Sequence, residues 1–189
     1  MQTTAQKTPM PSDCALLAST ATADFSDTYS IKVLHSTLTA LQVYAAIAKH
    51  TPGWVEALMT LRNQAVRLVG LKNLGQLSDV PTATDHGLHP GDRIGLFTLV
   101  SDEPAQLVMQ DDDRHLIVKL SLQKMFEDAQ HDRLALSTVV HTKNLLGKLY
   151  MLPVGPMHKL IAPAMLLRAP QAISQVIKTG TTTATIKPI

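Results

Sequence analysis

The sequence has one cysteine, one tryptophan and only a few other aromatics, with no long unbroken apolar run and no cluster of basic residues. Each scarcity removes a class of protein. A lone thiol, Cys14, forbids an intrachain disulfide, and a reducing, cytoplasmic setting is the expectation. Cys14 does not follow the basic start and apolar stretch of a secretory or lipoprotein signal. No segment was expected to supply the roughly 20 apolar residues of a membrane span. The formal net charge is +2 without a basic run, so sequence-independent nucleic-acid binding through phosphates has no support. Glycine-rich phosphate loops, Ser-His-Asp sets and Cys-His pairs are missing. No cofactor is expected. A length of 189 residues favours one domain with a sizeable core.

What is present is organised around Thr51 to Gly70, which has the signals of a helix at both ends. Thr51 suits the cap, Pro52 the first helical position and Gly70 the left-handed stop. Trp54, Val55, Leu58, Met59, Val66 and Val69 fall on one broad arc, and Glu56, Thr60, Asn63 and Arg67 fall opposite. Arg62 falls within the apolar arc. A guanidinium stays protonated, so inside a fold it needs an acid such as Asp92, Asp112 or Asp113, or an anion from outside.

Residues 1–22 read as a flexible arm, partly tied down near Leu16 and Leu17. Residues 24–34 alternate, with Tyr29, Ile31 and Val33 on one face, and form a first strand. Ser36 or Thr37 precedes a short helix carrying Leu38, Leu41, Ala45 and Ala48. A polar connector, residues 72–90, reads as a flap or a surface loop. Four strands follow at 93–100, 105–110, 115–125 and 133–142, joined by short turns into an antiparallel meander. Leu116, Val118, Leu120 and Leu122 share one face of the third, and Leu134, Leu136, Thr138 and Val140 one face of the fourth. Asn144 opens a last helix whose apolar side carries Leu145, Leu149, Leu152, Met157, Leu160 and Leu167. Pro153, Pro156 and Pro163 should bend or interrupt it. Residues 171–189 read as an extension, with an edge strand at 173–178.

Several local patterns carry a resemblance. Asp24-Phe-Ser-Asp-Thr-Tyr-Ser, Pro52-Gly-Trp-Val-Glu-Ala-Leu-Met-Thr-Leu-Arg-Asn and Gly91-Asp-Arg-Ile-Gly-Leu-Phe resemble the bacterial family of unknown function DUF2867. So do Asp112-Asp-Arg-His-Leu, Asn144-Leu-Leu-Gly-Lys-Leu-Tyr and Pro156-Met-His158. The likeness covers roughly residues 24–168 and marks out one domain at 23–170. It implies membership of the START-like, polyketide-cyclase-like superfamily. The expected fold class is then α+β, a helix-grip fold in which an antiparallel curved sheet wraps a long C-terminal helix.

Such a fold implies an apolar cavity for a hydrophobic or amphipathic small molecule. Arg62, Asn63, Trp54, Tyr150 and His158 are the candidate ligand-binding residues, with Arg62 as anchor for an acidic head. The competing readings are an internal ion pair for Arg62 and a plain core position for Trp54. An enzyme in the same cavity would use Tyr150, His158 or Asp112 for proton transfer. A protein-interaction module, or a homodimer through an open sheet edge, is the third possibility. Asp111-Asp112-Asp113 and His86-Gly-Leu-His89 lack the spacing of calcium or zinc sites and read as a solvated turn and a loop.

Overall fold

The computed structural model describes residues 4–68 and 88–183. Within them, β1 is Gln6–Lys7, β2 Phe25–Leu34, β3 Arg93–Ile94, β4 Phe97–Glu103, β5 Gln106–Asp112, β6 Leu116–Asp128 and β7 His131–Thr142. They form one curved, open antiparallel sheet in the order β1-β2-β7-β6-β5-β4-β3. The helices are α1 Ala40–Lys49, α2 Gly53–Leu68, α3 Leu145–Leu166 and α4 Ala169–Thr183. Gly70, most of the expected connector and His86 lie outside the described residues.

The alternation read in β2, β6 and β7 sets the concave face. Tyr29, Ile31, Val33, Leu120, Leu122 and Leu134 are buried there with residues of α1, α3 and α4. Helix α1 starts differently from expectation. Thr39 caps it in a reciprocal capping box with Gln42, while the Ser36 amide donates to Asp132 Oδ2 (3.2 Å). Thr51 does not cap α2 either. Its hydroxyl donates back to the Ala48 carbonyl (2.6 Å), and the Pro52 carbonyl receives the first α2 amides, Val55 and Glu56.

Two further expectations are corrected. The strand expected over 93–100 is a hairpin, β3–β4, because Gly95 takes a left-handed φ of 58° and turns the chain between Ile94 and Phe97. The described part of the arm is tied down. Residues 6–7 pair with β2, and Cys14 and Leu16 pack on Val108 and Val139 on the convex face. The extension is a helix rather than an edge strand. Ala169 and Ile173 of α4 are buried in the main core, and Ala172 is buried as well.

The prolines of α3 do not interrupt it; the helix runs through Pro153, Pro156 and Pro163 and turns only at Leu167–Arg168. The reason lies in where they sit. Each deprives a carbonyl four residues earlier, at Leu149, Leu152 and Lys159, and all three of those residues are exposed, so water can replace the lost bond. By length and composition alone Leu145–Thr179 would suffice to cross a membrane, a property that the core helix of a globular fold can share. Its Gly147, Gly155, Ala162, Met165 and Leu166 are nevertheless buried, as in the core helix of a globular fold.

The β6–β7 hairpin carries an exposed ion network. Lys32 lies 3.0 Å from Asp128 and 3.4 Å from Glu127, and His131 Nδ1 lies 2.8 Å from Asp128. The Gln130 amide, then Lys32 and His131, hold the Asp128 carboxyl well below its ordinary range, and the Thr142 amide and hydroxyl do the same to Asp24. A carboxyl depressed in the folded state stabilises it above the unfolded value and ceases to do so as pH falls through the folded one. Urea midpoints should therefore hold steady in mildly acidic solution and decline once pH drops below 3.8. Asp128→Asn should flatten that decline, and an unchanged acid limb would count against this network.

Candidate functional site

Between the concave face and α3 lies an open pocket of about 670 Å³, bordered also by α1 and α2. Its floor is the inward row of β6 and β7, including Leu120, Leu122, Leu136 and Val140, and its roof includes Met151, Val154, Met157 and Ile161 of α3. The surface is overwhelmingly apolar. The polar groups that reach it are few and grouped.

One group joins α2 to α3. Arg62 Nε donates to the Tyr150 hydroxyl (2.8 Å), and the guanidinium carbon lies 5.7 Å from the centre of the Tyr150 ring. Both residues line the pocket. The acids considered for Arg62 are engaged elsewhere. Asp112 pairs with Lys143, Asp113 Oδ1 accepts from the His115 and Leu116 amides, and Asp92 Oδ2 accepts from the His89 amide.

A second group sits farther along α3. His158 lies eight residues after Tyr150 on the same side, a rise of about 12 Å. Its Nε2 is 3.2 Å from Asp27 Oδ1, and its ring meets Phe25 edge-on at 5.7 Å. The Asp27 side chain is 1% exposed, and its Oδ2 has no hydrogen-bond partner among the described residues. Strand alternation explains this placement. Asp27 shares the parity of Phe25, Tyr29 and Ile31, so β2 turns a carboxylate toward the apolar side.

Two hydroxyls complete the set. Thr138, two residues from Val140 on the inward row of β7, and Tyr44 of α1 both line the pocket and are buried. Neither Thr138 Oγ1 nor the Tyr44 hydroxyl has a partner among the described residues. Burial pushes the Tyr44 phenol far above its ordinary range, so it stays a neutral donor.

Of the residues expected at the site, the structure brings Arg62, Tyr150 and His158 to one pocket. Trp54 is 45% exposed and is not among the described residues that line it, because α2 turns Val55 rather than Trp54 into the core. The Asn63 side chain lies outside what is described. Asp112, the suggested proton-transfer group, is exposed on the far side of β5, while its neighbour Asp111 is buried and lines the pocket. The acidic run is thus the end of a strand, with only Asp113 in the turn. No group of three or more metal-ligating side chains occurs among the described residues. Asp27, Asp111, Thr138 and Tyr44 were not recognised as site residues. For both aspartates the available signal was a carboxylate on the apolar parity of a strand.

These features define an α+β protein with a curved antiparallel sheet, a bent C-terminal helix and an apolar pocket between them. Residues 19–165 match the family model described as "Protein of unknown function (DUF2867)", and the chain belongs to that family. No curated protein matches it.

Proposed function

We propose that this protein binds an amphipathic small molecule in the pocket, with an acidic or otherwise polar head at Arg62–Tyr150 and an apolar body along β6, β7 and α3. The arrangement is the one a START-like helix-grip fold would use. One observation carries the reading: Tyr44 and Thr138 present buried hydroxyls, without partners among the described residues, to a largely apolar pocket. An unpaired buried polar atom costs about 1–3 kcal/mol, and a ligand oxygen would remove that cost. The pocket volume also falls in the range of small-molecule sites, roughly 300–1,000 Å³.

The test is native mass spectrometry of the purified protein, followed by titration with a dansylated fatty acid. Wild type should carry or take up an acidic amphiphile, and Arg62→Ala, with its circular dichroism intact, should lose most of it. Tyr44→Phe should raise the stability of the ligand-free protein by about 1 kcal/mol while weakening binding, because it removes an unsatisfied hydroxyl that a ligand would use. Failure of wild type to bind, with Tyr44→Phe neutral or destabilising, would discard the reading.

A second reading is enzymatic and is favoured by His158. A buried carboxylate that holds an imidazole at the wall of an apolar pocket is the arrangement a general base uses. A released ligand whose mass changes with time in wild type, but not in His158→Ala, would separate turnover from binding.

A further inference from the structure

Helix α3 is apolar on all sides, and the sheet covers only one of them. The side left to solvent is the one richest in leucine. Leu145, Leu149, Leu152 and Leu160 are 71%, 53%, 69% and 60% exposed. The apolar side read from the sequence is therefore, at these four leucines, the side that faces out. At about 100° per residue they fall within one arc with Pro156 and Pro163, and Lys148 and Lys159 flank it along one border. Both lysines are exposed and make no ion pair among the described residues. Lys148 lies near Asp24, whose carboxylate is held by the Thr142 amide and hydroxyl. Beyond Asp132 the sequence contains no Asp or Glu at all. The exposed apolar arc is also continuous with the pocket mouth, since Leu149, Pro153 and Leu61 of α2 are both exposed and pocket-lining.

We propose that this outer face of α3 docks on a bilayer surface containing anionic lipid, with the leucines entering the headgroup–acyl boundary and Lys148 and Lys159 meeting headgroup charge. The helix lies on the membrane rather than across it, because its other side holds the sheet. The charge pattern selects this occupant. A lysine-edged leucine arc free of acids complements an anionic lipid surface, which attracts each nearby cation and accepts apolar side chains. Docking places the mouth of the pocket at the surface, so an amphipathic ligand could pass between bilayer and pocket without crossing water. The docking itself does not depend on the pocket being occupied.

The experiment is flotation of the full chain with phosphatidylcholine vesicles, with and without phosphatidylglycerol, alongside light scattering of the protein alone. Wild type should float with the anionic vesicles about tenfold more than with pure phosphatidylcholine, and added salt should reduce the difference. Leu152→Glu/Leu160→Glu alters two exposed positions that do not line the pocket and should cut flotation about tenfold or more. Lys148→Glu/Lys159→Glu should abolish the preference for anionic vesicles. Three results would overturn the proposal: no flotation of wild type, flotation unchanged in the leucine variant, or a dimer in solution that the leucine variant dissociates. The last would assign the face to a second copy of the chain. Uptake of the dansylated fatty acid by the leucine variant keeps this outcome separate from the pocket reading.

Discussion

Asp132→Ala should lower the unfolding free energy by about 3–5 kcal/mol, a large part of what a domain this size possesses. The Asp132 side chain is 1% exposed. Its Oδ1 lies 2.9 Å from His35 Nδ1, and its Oδ2 accepts the Ser36 amide at 3.2 Å and stands 3.8 Å from Lys124 Nζ. Lys124, 16% exposed, also donates to the Ser36 and Leu38 carbonyls at 2.7 and 2.8 Å. One carboxylate from β7 and one ammonium from β6 therefore organise the turn that leads from β2 into α1. Removing the carboxylate leaves a half-buried cation facing carbonyl dipoles alone and an amide without its acceptor. Asp132→Asn restores an acceptor but not the charge and should cost less than Asp132→Ala. Urea denaturation of the three proteins checks this, and a loss under about 1 kcal/mol in Asp132→Ala would show that water replaces the network. Since α1 carries Tyr44, the same variant should also loosen one wall of the pocket.

Gly147→Ala should cost about 3 kcal/mol, at the upper end for overpacking, because the obstacle is backbone rather than a movable side chain. The α3 N-terminus is clamped to the start of β6. Asn144 Oδ1 accepts the Gly147 amide (3.1 Å), Asn144 Nδ2 donates to the Arg114 carbonyl (3.0 Å), and the Lys143 amide donates to the His115 carbonyl (2.7 Å). A methyl group on Gly147 would collide with that same His115 carbonyl oxygen and stand 3.1 Å from its carbon. The helix would have to lift, and Tyr150 lies less than one turn further along. Gly147→Ala should therefore weaken dansylated fatty-acid binding as well as stability. Gly155→Ala, where a methyl group would meet nothing within 4 Å, is the control and should be close to neutral in both. Equal behaviour of the two variants would remove the clamp from the account.

Sequence alone reached the sheet because strands with one buried face announce themselves by alternation. The inward rows of β6 and β7 were read residue by residue, and the order of strand, two helices, meander and helix followed from turn chemistry. Alternation cannot reveal a polar residue that a strand turns inward for function. Asp27 and Asp111 were passed over because carboxylates are ordinarily assigned to solvent. Helix faces were harder. In α3 nearly every position is apolar, so periodicity cannot distinguish the side against the sheet from the side facing out. In α2 the arc was read broadly enough to include Trp54, which the helix leaves at its edge. Arg62 was singled out because a guanidinium among apolar neighbours demands a partner. One partner is a tyrosine hydroxyl, a group whose importance no spacing rule flags.

The sheet order has a consequence for how the chain is assembled. Strand β2, near the beginning, pairs along its whole length with β7, register Phe25 to Val140 through Leu34 to His131, while β3 to β7 are joined to one another by hairpins. Hairpin pairings close short loops and form early; the β2–β7 pairing closes a long one and must come later. During synthesis β2 emerges long before β7 and has no neighbour on its inner edge until β7 leaves the ribosome, so that edge waits open. The Asp27–His158 contact comes late as well, because one partner belongs to that waiting strand and the other to a helix made after β7. The polar end of the pocket is thus a late event in folding, and it exists only in a chain whose β2 has found β7.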